Sequence, residues 1–188
     1  MDPYQVTVWD VDAEPVGRAL VLPGGRYQVD APILYWACQV AAAAGWQVTT
    51  MRWQAEDVTA ETRVDFVEQA AELLDATAPP APRTTVIAKS LGTLAAPWAT
   101  RKGYAGAWLT PLLTDPAVRE ALTVPGPPSL AVGGTADKVW DSEAAGRLRG
   151  TVLELDGADH ALHRGTDWRA SLGLLERTLA AIEQHLAR

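Results

Sequence analysis

Alternation constrains this chain more than any other feature: short runs rich in apolar and β-branched residues give way repeatedly to stretches with helical period. Val6 to Val8 and Arg18 to Leu22 read as strands, the second ending at the turn Pro23-Gly24-Gly25. Asp30 is expected to cap a helix opened by Pro32, with Ile33, Ala37, Val40 and Ala44 on one face and Gly45 as its stop. Trp46 to Met51 is the next strand. Residues 61 to 76 then place Val64, Val67, Ala71 and Leu74 at spacings of three and four. Thr84 to Ala88 is a continuous β-rich run, the pattern of a strand buried on both faces. Ala105 to Leu109, Leu130 to Gly133 and Thr151 to Leu155 follow as strands, with a short helix over Asp115 to Leu122 between the first two. A closing helix carries Trp168, Leu172, Leu175, Leu179, Ile182 and Leu186 in strict period.

Strand and helix in alternation imply an α/β fold: a three-layer α/β/α sandwich around a mostly parallel, doubly wound sheet of about seven strands. The proline-rich stretches Pro79 to Pro82 and Pro125 to Pro128 read as loops inside one domain spanning 1–188. With 188 residues, 48% of them hydrophobic and 21% charged, the chain can bury a full core without disulfides or metals. A net charge of −7 leaves no basic surplus to neutralise phosphates, so neither nucleic acid nor an anionic membrane is expected as a partner. The single cysteine, Cys38, reads as a small buried helix residue and suits a reducing cytoplasm. No basic start or apolar run marks a signal peptide, and Ala31 to Gly45 is too short to span a bilayer.

In such sheets ligands sit beyond the carboxyl ends of the strands, so the residues just after each strand matter most. Thr84 to Ala88 is followed by A-K-S-L-G, residues 88 to 92. A serine on a tight strand-to-helix turn has its hydroxyl pushed out at the sheet edge, and packing there demands small residues two before and two after it. Ala88 and Gly92 meet that demand around Ser90. The plainer reading makes Ser90 a helix N-cap. Lys89 is expected to point away from the chemistry.

After Leu130 to Gly133, G-T-A-D-K-V places Asp137 where a fixed carboxylate can orient an imidazole and stabilise its cation. Asp115 is a second-choice acid, and Asp141 reads as the cap of the following helix. After Thr151 to Leu155, D-G-A-D-H-A-L-H delivers His160, with His163 as the alternative base; His185 reads as a favourable charge near a helix end. A metal site built from Asp156, Asp159, His160 and His163 is the weaker reading, since no third cluster completes a shell. The loop L-P-G-G-R-Y fits neither phosphate-loop pattern. It instead offers a backbone N–H from Gly25, Arg26 or Tyr27 to pair with that of Leu91 around a developing oxyanion.

Four motifs, P-G-G-R-Y, A-K-S-L-G, G-T-A-D-K-V and G-A-D-H-A-L, lie in this order at strand ends across nearly the whole chain. Together they resemble the α/β-hydrolase superfamily, in particular compact, lid-less bacterial members with a K-S-L-G-T elbow. Ala88 replaces the first elbow glycine of the common pattern. The resemblance implies a serine hydrolase with Ser90 as nucleophile, His160 as base and Asp137 as acid, acting on a small acyl substrate through an acyl-enzyme without a cofactor or metal. Trp108, Trp140, Trp168 and His163 are expected to wall the substrate pocket. No cap domain fits between Leu109 and Leu130, which implies an open, shallow site. A monomer or homodimer is expected. The competing readings are a binding or regulatory module with weak turnover, and an acyltransferase.

Overall fold

The computed structural model describes residues 3–11 and 13–188. Seven strands form one sheet: β1 (Tyr4–Val8), β2 (Gly17–Leu22), β3 (Trp46–Trp53), β4 (Thr84–Lys89), β5 (Ala105–Leu109), β6 (Ser129–Gly134) and β7 (Thr151–Leu155). Their spatial order is β1-β3-β2-β4-β5-β6-β7, with every neighbour parallel except β1, which runs antiparallel to β3. The central strands β2 and β4 are buried almost end to end, as their unbroken apolar runs require.

Six α-helices cover the sheet: α1 (Pro32–Ala43), α2 (Arg63–Thr77), α3 (Ala96–Lys102), α4 (Pro116–Thr123), α5 (Ser142–Ala145) and α6 (Trp168–Leu186). The core on one face is built against α1 and α6 and includes Val21, Leu34, Ile87, Leu109 and Ile182. On the other, α2, α3, α4 and α5 pack over Leu20, Leu22, Val86 and Trp108. From β2 the chain winds out to β3, then returns past β2 to begin β4. The winding direction reverses there, so the crevice between the carboxyl ends of β2 and β4 is the topological switch point.

The helices sit where the periodicity places them, with some faces turned. In α2 the buried stripe is Val67, Ala70, Ala71 and Leu74, while Val64 is exposed. In α6 Leu174, Thr178, Ile182, His185 and Leu186 are buried, and Trp168 and Leu172 face solvent. A second correction concerns the start of α1. Ala31, not Asp30, holds the cap position without a side-chain bond, and the Asp30 carboxylate pairs with Arg52 instead. Pro32 supplies the helical φ and needs no N–H partner in the first turn, so the cap is dispensable.

Candidate active site at the carboxyl ends of the strands

Ser90 leaves β4 in the left-handed region, at φ +50°, and opens a 3₁₀ turn over Ser90–Ala95 that runs into α3. Non-glycine residues hold this conformation only where neighbours force it. Several neighbours do. A Cβ on Gly92 would stand 2.5 Å from the Pro23 carbonyl oxygen, so only glycine lets the turn pack under the loop after β2. Gly92 N–H donates to that same carbonyl at 3.1 Å. The buried Thr93 hydroxyl donates to the Ser90 carbonyl at 2.6 Å and accepts from Leu112 N–H at 3.2 Å, tying the turn to the loop after β5. The cap position falls to Lys89, and Ser90 keeps its hydroxyl free of helix capping.

That hydroxyl lies 2.7 Å from His160 Nε2, and His160 Nδ1 lies 2.7 Å from Asp137 Oδ2. A carboxylate can only accept, so a neutral imidazole carries its proton on Nδ1 and its Nε2 accepts from the serine. Asp137 is buried, and its other oxygen accepts from Val139 N–H at 3.0 Å, which fixes the carboxylate. The loops bearing Asp137 and His160 are stitched together: Ala136 N–H donates to the Ala158 carbonyl at 3.0 Å, and Gly157 N–H to Thr135 Oγ1 at 2.8 Å. Gly134 permits this approach, since a Cβ there would stand 2.1 Å from the Ala158 oxygen. Asp159 shapes the turn after His160, its Oδ1 accepting from Ala161 N–H at 2.8 Å and His163 N–H at 2.9 Å. Such a chain of hydrogen bonds can draw a proton from a hydroxyl to an imidazole whose resulting cation is stabilised by a fixed carboxylate.

The loop after β2 lies against the serine. Gly24 faces the Ser90 Cβ and Gly25 faces the Leu91 side chain. Buried Trp53 donates from Nε1 to the Gly24 carbonyl at 2.9 Å, and the Tyr27 hydroxyl accepts from Ile33 N–H at 2.9 Å. Burial pushes the Tyr27 phenol up from its ordinary pKa. The N–H groups of Gly25, Arg26 and Tyr27 donate to no acceptor among the described residues, and Leu91 N–H belongs to the opening turn of the 3₁₀ segment, where a helix leaves its first amides free. Loop amides without internal partners beside a reactive hydroxyl can receive a developing negative charge.

No family model matches the chain, and neither does any curated protein. Solved structures match along nearly its whole length. A protein of unknown function from Agrobacterium tumefaciens, described as a candidate α/β hydrolase, superposes with a TM-score of 0.72 at 18% identity, covering 98% of this chain and 90% of that one. A lid-less α/β serine hydrolase from Xanthomonas campestris gives 0.68 at 17% identity over 96% and 88%. An α/β serine hydrolase homologue from Coxiella burnetii gives 0.68 at 13% identity over 94% and 90%. The fold is that of the α/β hydrolases. The connection from β5 to β6 holds a loop and α4, with no inserted cap domain among the described residues.

Within this α/β-hydrolase fold Ser90 sits where two open grooves meet. One, of about 600 Å³, is walled mainly by apolar surface and includes Tyr27, Lys89, Ala136, Val139, His160 and Ala161. The other, of about 710 Å³, is more polar and runs past Arg26, Glu56, Thr59, Arg63 and Leu112. The four residues expected to wall the pocket lie elsewhere. Trp108 is buried in the core on the α2 side of the sheet. Trp140 is also buried there, its Nε1 donating to Glu154 at 2.7 Å. Trp168 and His163 are exposed and line a separate apolar groove with Leu172 and Leu175. Trp108 lies within β5, where successive side chains alternate between the two faces of the sheet, and Trp168 opens α6; being near a strand end does not say which way such a side chain points.

Asp115 caps α4 and pairs with Arg63 at 3.0 Å, away from His160. Asp141 caps α5. His185 is no surface charge: it is buried, and burial pulls its pKa down to about 4, leaving it neutral. The metal reading gains nothing from the geometry, because no three His, Cys, Asp or Glu side chains among the described residues gather to hold an ion. Cys38 is buried in α1, its thiol pushed up to about 12 by burial. No helix is long and apolar enough to cross a membrane among the described residues.

The expectation that Lys89 points away from the chemistry is corrected: its ammonium lines the groove beside Ser90 and reaches the His160 carbonyl at 2.9 Å. Sequence reasoning also passed over Thr93, Thr110 and Trp53, which hold the loops in place. One signal was available for Lys89: a cation ending a strand buried on both faces must find partners inside. The other three read as ordinary core residues.

Proposed function

We propose that the chain is a serine hydrolase of small esters or related acyl compounds. Ser90 Oγ attacks the acyl carbonyl while His160 Nε2 takes its proton, and Asp137 steadies the imidazolium. The oxyanion forms against the Leu91 N–H and one N–H of the Gly25–Tyr27 loop, a contribution worth about 3 kcal/mol per donor. His160 then gives the proton to the leaving group, producing the acyl-enzyme; it next takes a proton from water, whose oxygen attacks the acyl carbon, and passes that proton to Ser90 Oγ as the Ser90–acyl bond breaks. The apolar groove accepts the acyl chain and the polar groove the leaving group. Both are open, which suits small or extended substrates.

One observation carries this reading: three side chains from separate loops form an unbroken hydrogen-bonded chain, 2.7 Å at each link. The test is a panel of p-nitrophenyl esters run with wild type and Ser90→Ala, beside labelling by a serine-reactive fluorophosphonate. Hydrolysis that vanishes in the variant, with one label per chain on Ser90, supports the enzyme. Unlabelled wild type without turnover points to a binding module. Product diverted to added alcohols points to acyl transfer.

A further inference from the structure

Lys89 is the largest charged side chain in the interior, 1% exposed, and its place beside the nucleophile gives it reach over the whole site. Its Nζ donates to the His160 carbonyl at 2.9 Å and to Thr110 Oγ1 at 3.0 Å, and stands 4.7 Å from the centroid of the Tyr27 ring. One ammonium therefore contacts the loops after β2, β5 and β7 while its own backbone carries Ser90. An ammonium has three donors, and these contacts account for two hydrogen bonds and one aromatic face. Thr110 itself is held at φ +47°, a position a β-branched residue keeps only under constraint.

A buried cation is costly, and packing alone is served better by an apolar side chain of the same length. The charge at this point is paired instead with the negative field of Asp137 and Asp159, which opposes the effect of burial; the net result is a pKa lowered to about 8. What the two hydrogen bonds fix is the height of the His160 backbone above the elbow. His160 is otherwise half-exposed and belongs to a loop.

We propose that Lys89 is a positioning residue, whose ammonium sets the imidazole of His160 over the Ser90 hydroxyl by gripping the His160 carbonyl and Thr110. The assignment rests on the hydrolase reading above for its consequence in catalysis, but not for its geometry. Lys89 touches no substrate atom in this role. It acts by keeping the Ser90–His160 link short, and a displacement of about 1 Å at such a link costs on the order of a hundredfold in rate.

The test compares wild type, Lys89→Met and Thr110→Val in two measurements. Steady-state kinetics on p-nitrophenyl acetate should show kcat lowered roughly a hundredfold in Lys89→Met, with KM within about threefold, and several-fold in Thr110→Val. NMR of the His160 imidazole should show its Nδ1 proton signal shifted or broadened in both variants, whether or not the wild type turns over an ester. If wild type is inactive but the signal moves, the hydrolase reading fails and the positioning role stands. If Lys89→Met does not fold, Thr110→Val carries both measurements alone. An unmoved imidazole signal in the folded variants, or a kcat within twofold of an active wild type, overturns the proposal.

Discussion

The two ends of the parallel sheet turn the chain with glycines, but only the carboxyl end also forces side-chain-bearing residues into the left-handed region. Where the chain enters strands, at the amino end, the left-handed positions before β3, β5 and β7 are glycines: Gly45, Gly103 and Gly150. Where it leaves β4 and β5, at the carboxyl end, Ser90 and Thr110 take positive φ values despite their side chains, and in the loop after β7 Leu162 does so between the left-handed glycines Gly157 and Gly165. Glycine adopts this conformation without a Cβ clash, whereas other residues hold it at a cost of about 1–3 kcal/mol. The carboxyl end thus carries strain at the very turn that exposes the Ser90 hydroxyl, and at Thr110, to which Lys89 is anchored.

Their buried basic side chains differ in the same direction. Lys89 at the carboxyl end meets two hydrogen-bond acceptors and an aromatic ring. His185, packed at the amino end against Thr85, keeps Nδ1 without a partner among the described residues and is neutral. One group is bound into a working arrangement; the other is packed as a ring. Strain and paired charge coincide at the end where the proposed hydrolase site lies.

That contrast can be broken in several ways. The largest expected effect is on rate: Ser90→Ala should lower ester turnover by a factor on the order of 10⁴ or more, measured under single-turnover conditions. Turnover left intact would remove the reason for strain at this turn. Next comes Gly92→Ala, whose Cβ collides with the Pro23 carbonyl. It should cost about 1–3 kcal/mol in urea unfolding and displace the elbow from the loop after β2, lowering kcat well before the fold is lost.

A more direct comparison pairs Ser90→Gly with Gly103→Ala. The first relieves a left-handed residue and should raise stability by about 1 kcal/mol while abolishing activity. The second puts a Cβ at φ +73° in open space and should lower stability by a similar amount, about 1 kcal/mol, with activity kept. If Ser90→Gly proves destabilising, strain is not concentrated at the site.

The smallest effect concerns pH. The His185 pKa is about 4 in the fold and near 6.5 when unfolded, so the unfolded chain binds more protons between those values. Stability from this group is full above pH 6.5 and is lost as pH falls towards 4. Lys89 behaves oppositely in range: with a folded pKa of about 8 against 10.5, its penalty eases as pH rises from 8 to 10.5. Thermal melts should show the acid slope flattened in His185→Gln and the alkaline slope flattened in Lys89→Met.

The sequence by itself determined the seven strands, the helices between them and which loops stand at the carboxyl ends. Periods of 2 and 3.6 are local properties, and so is the need for Gly92 behind a serine turn. Ser90, Asp137 and His160 were nameable because each follows a strand, and a parallel sheet puts such residues at one edge. Only the tertiary structure decided which neighbours turn inward. Trp140 follows a strand just as the site residues do, yet packing sends it into the core together with Trp108 of β5. Lys89 follows no periodic rule; its partners lie 21 and 71 residues away. A buried charge is tolerated only by groups that folding brings to it, and pairing across that distance leaves no local pattern to read.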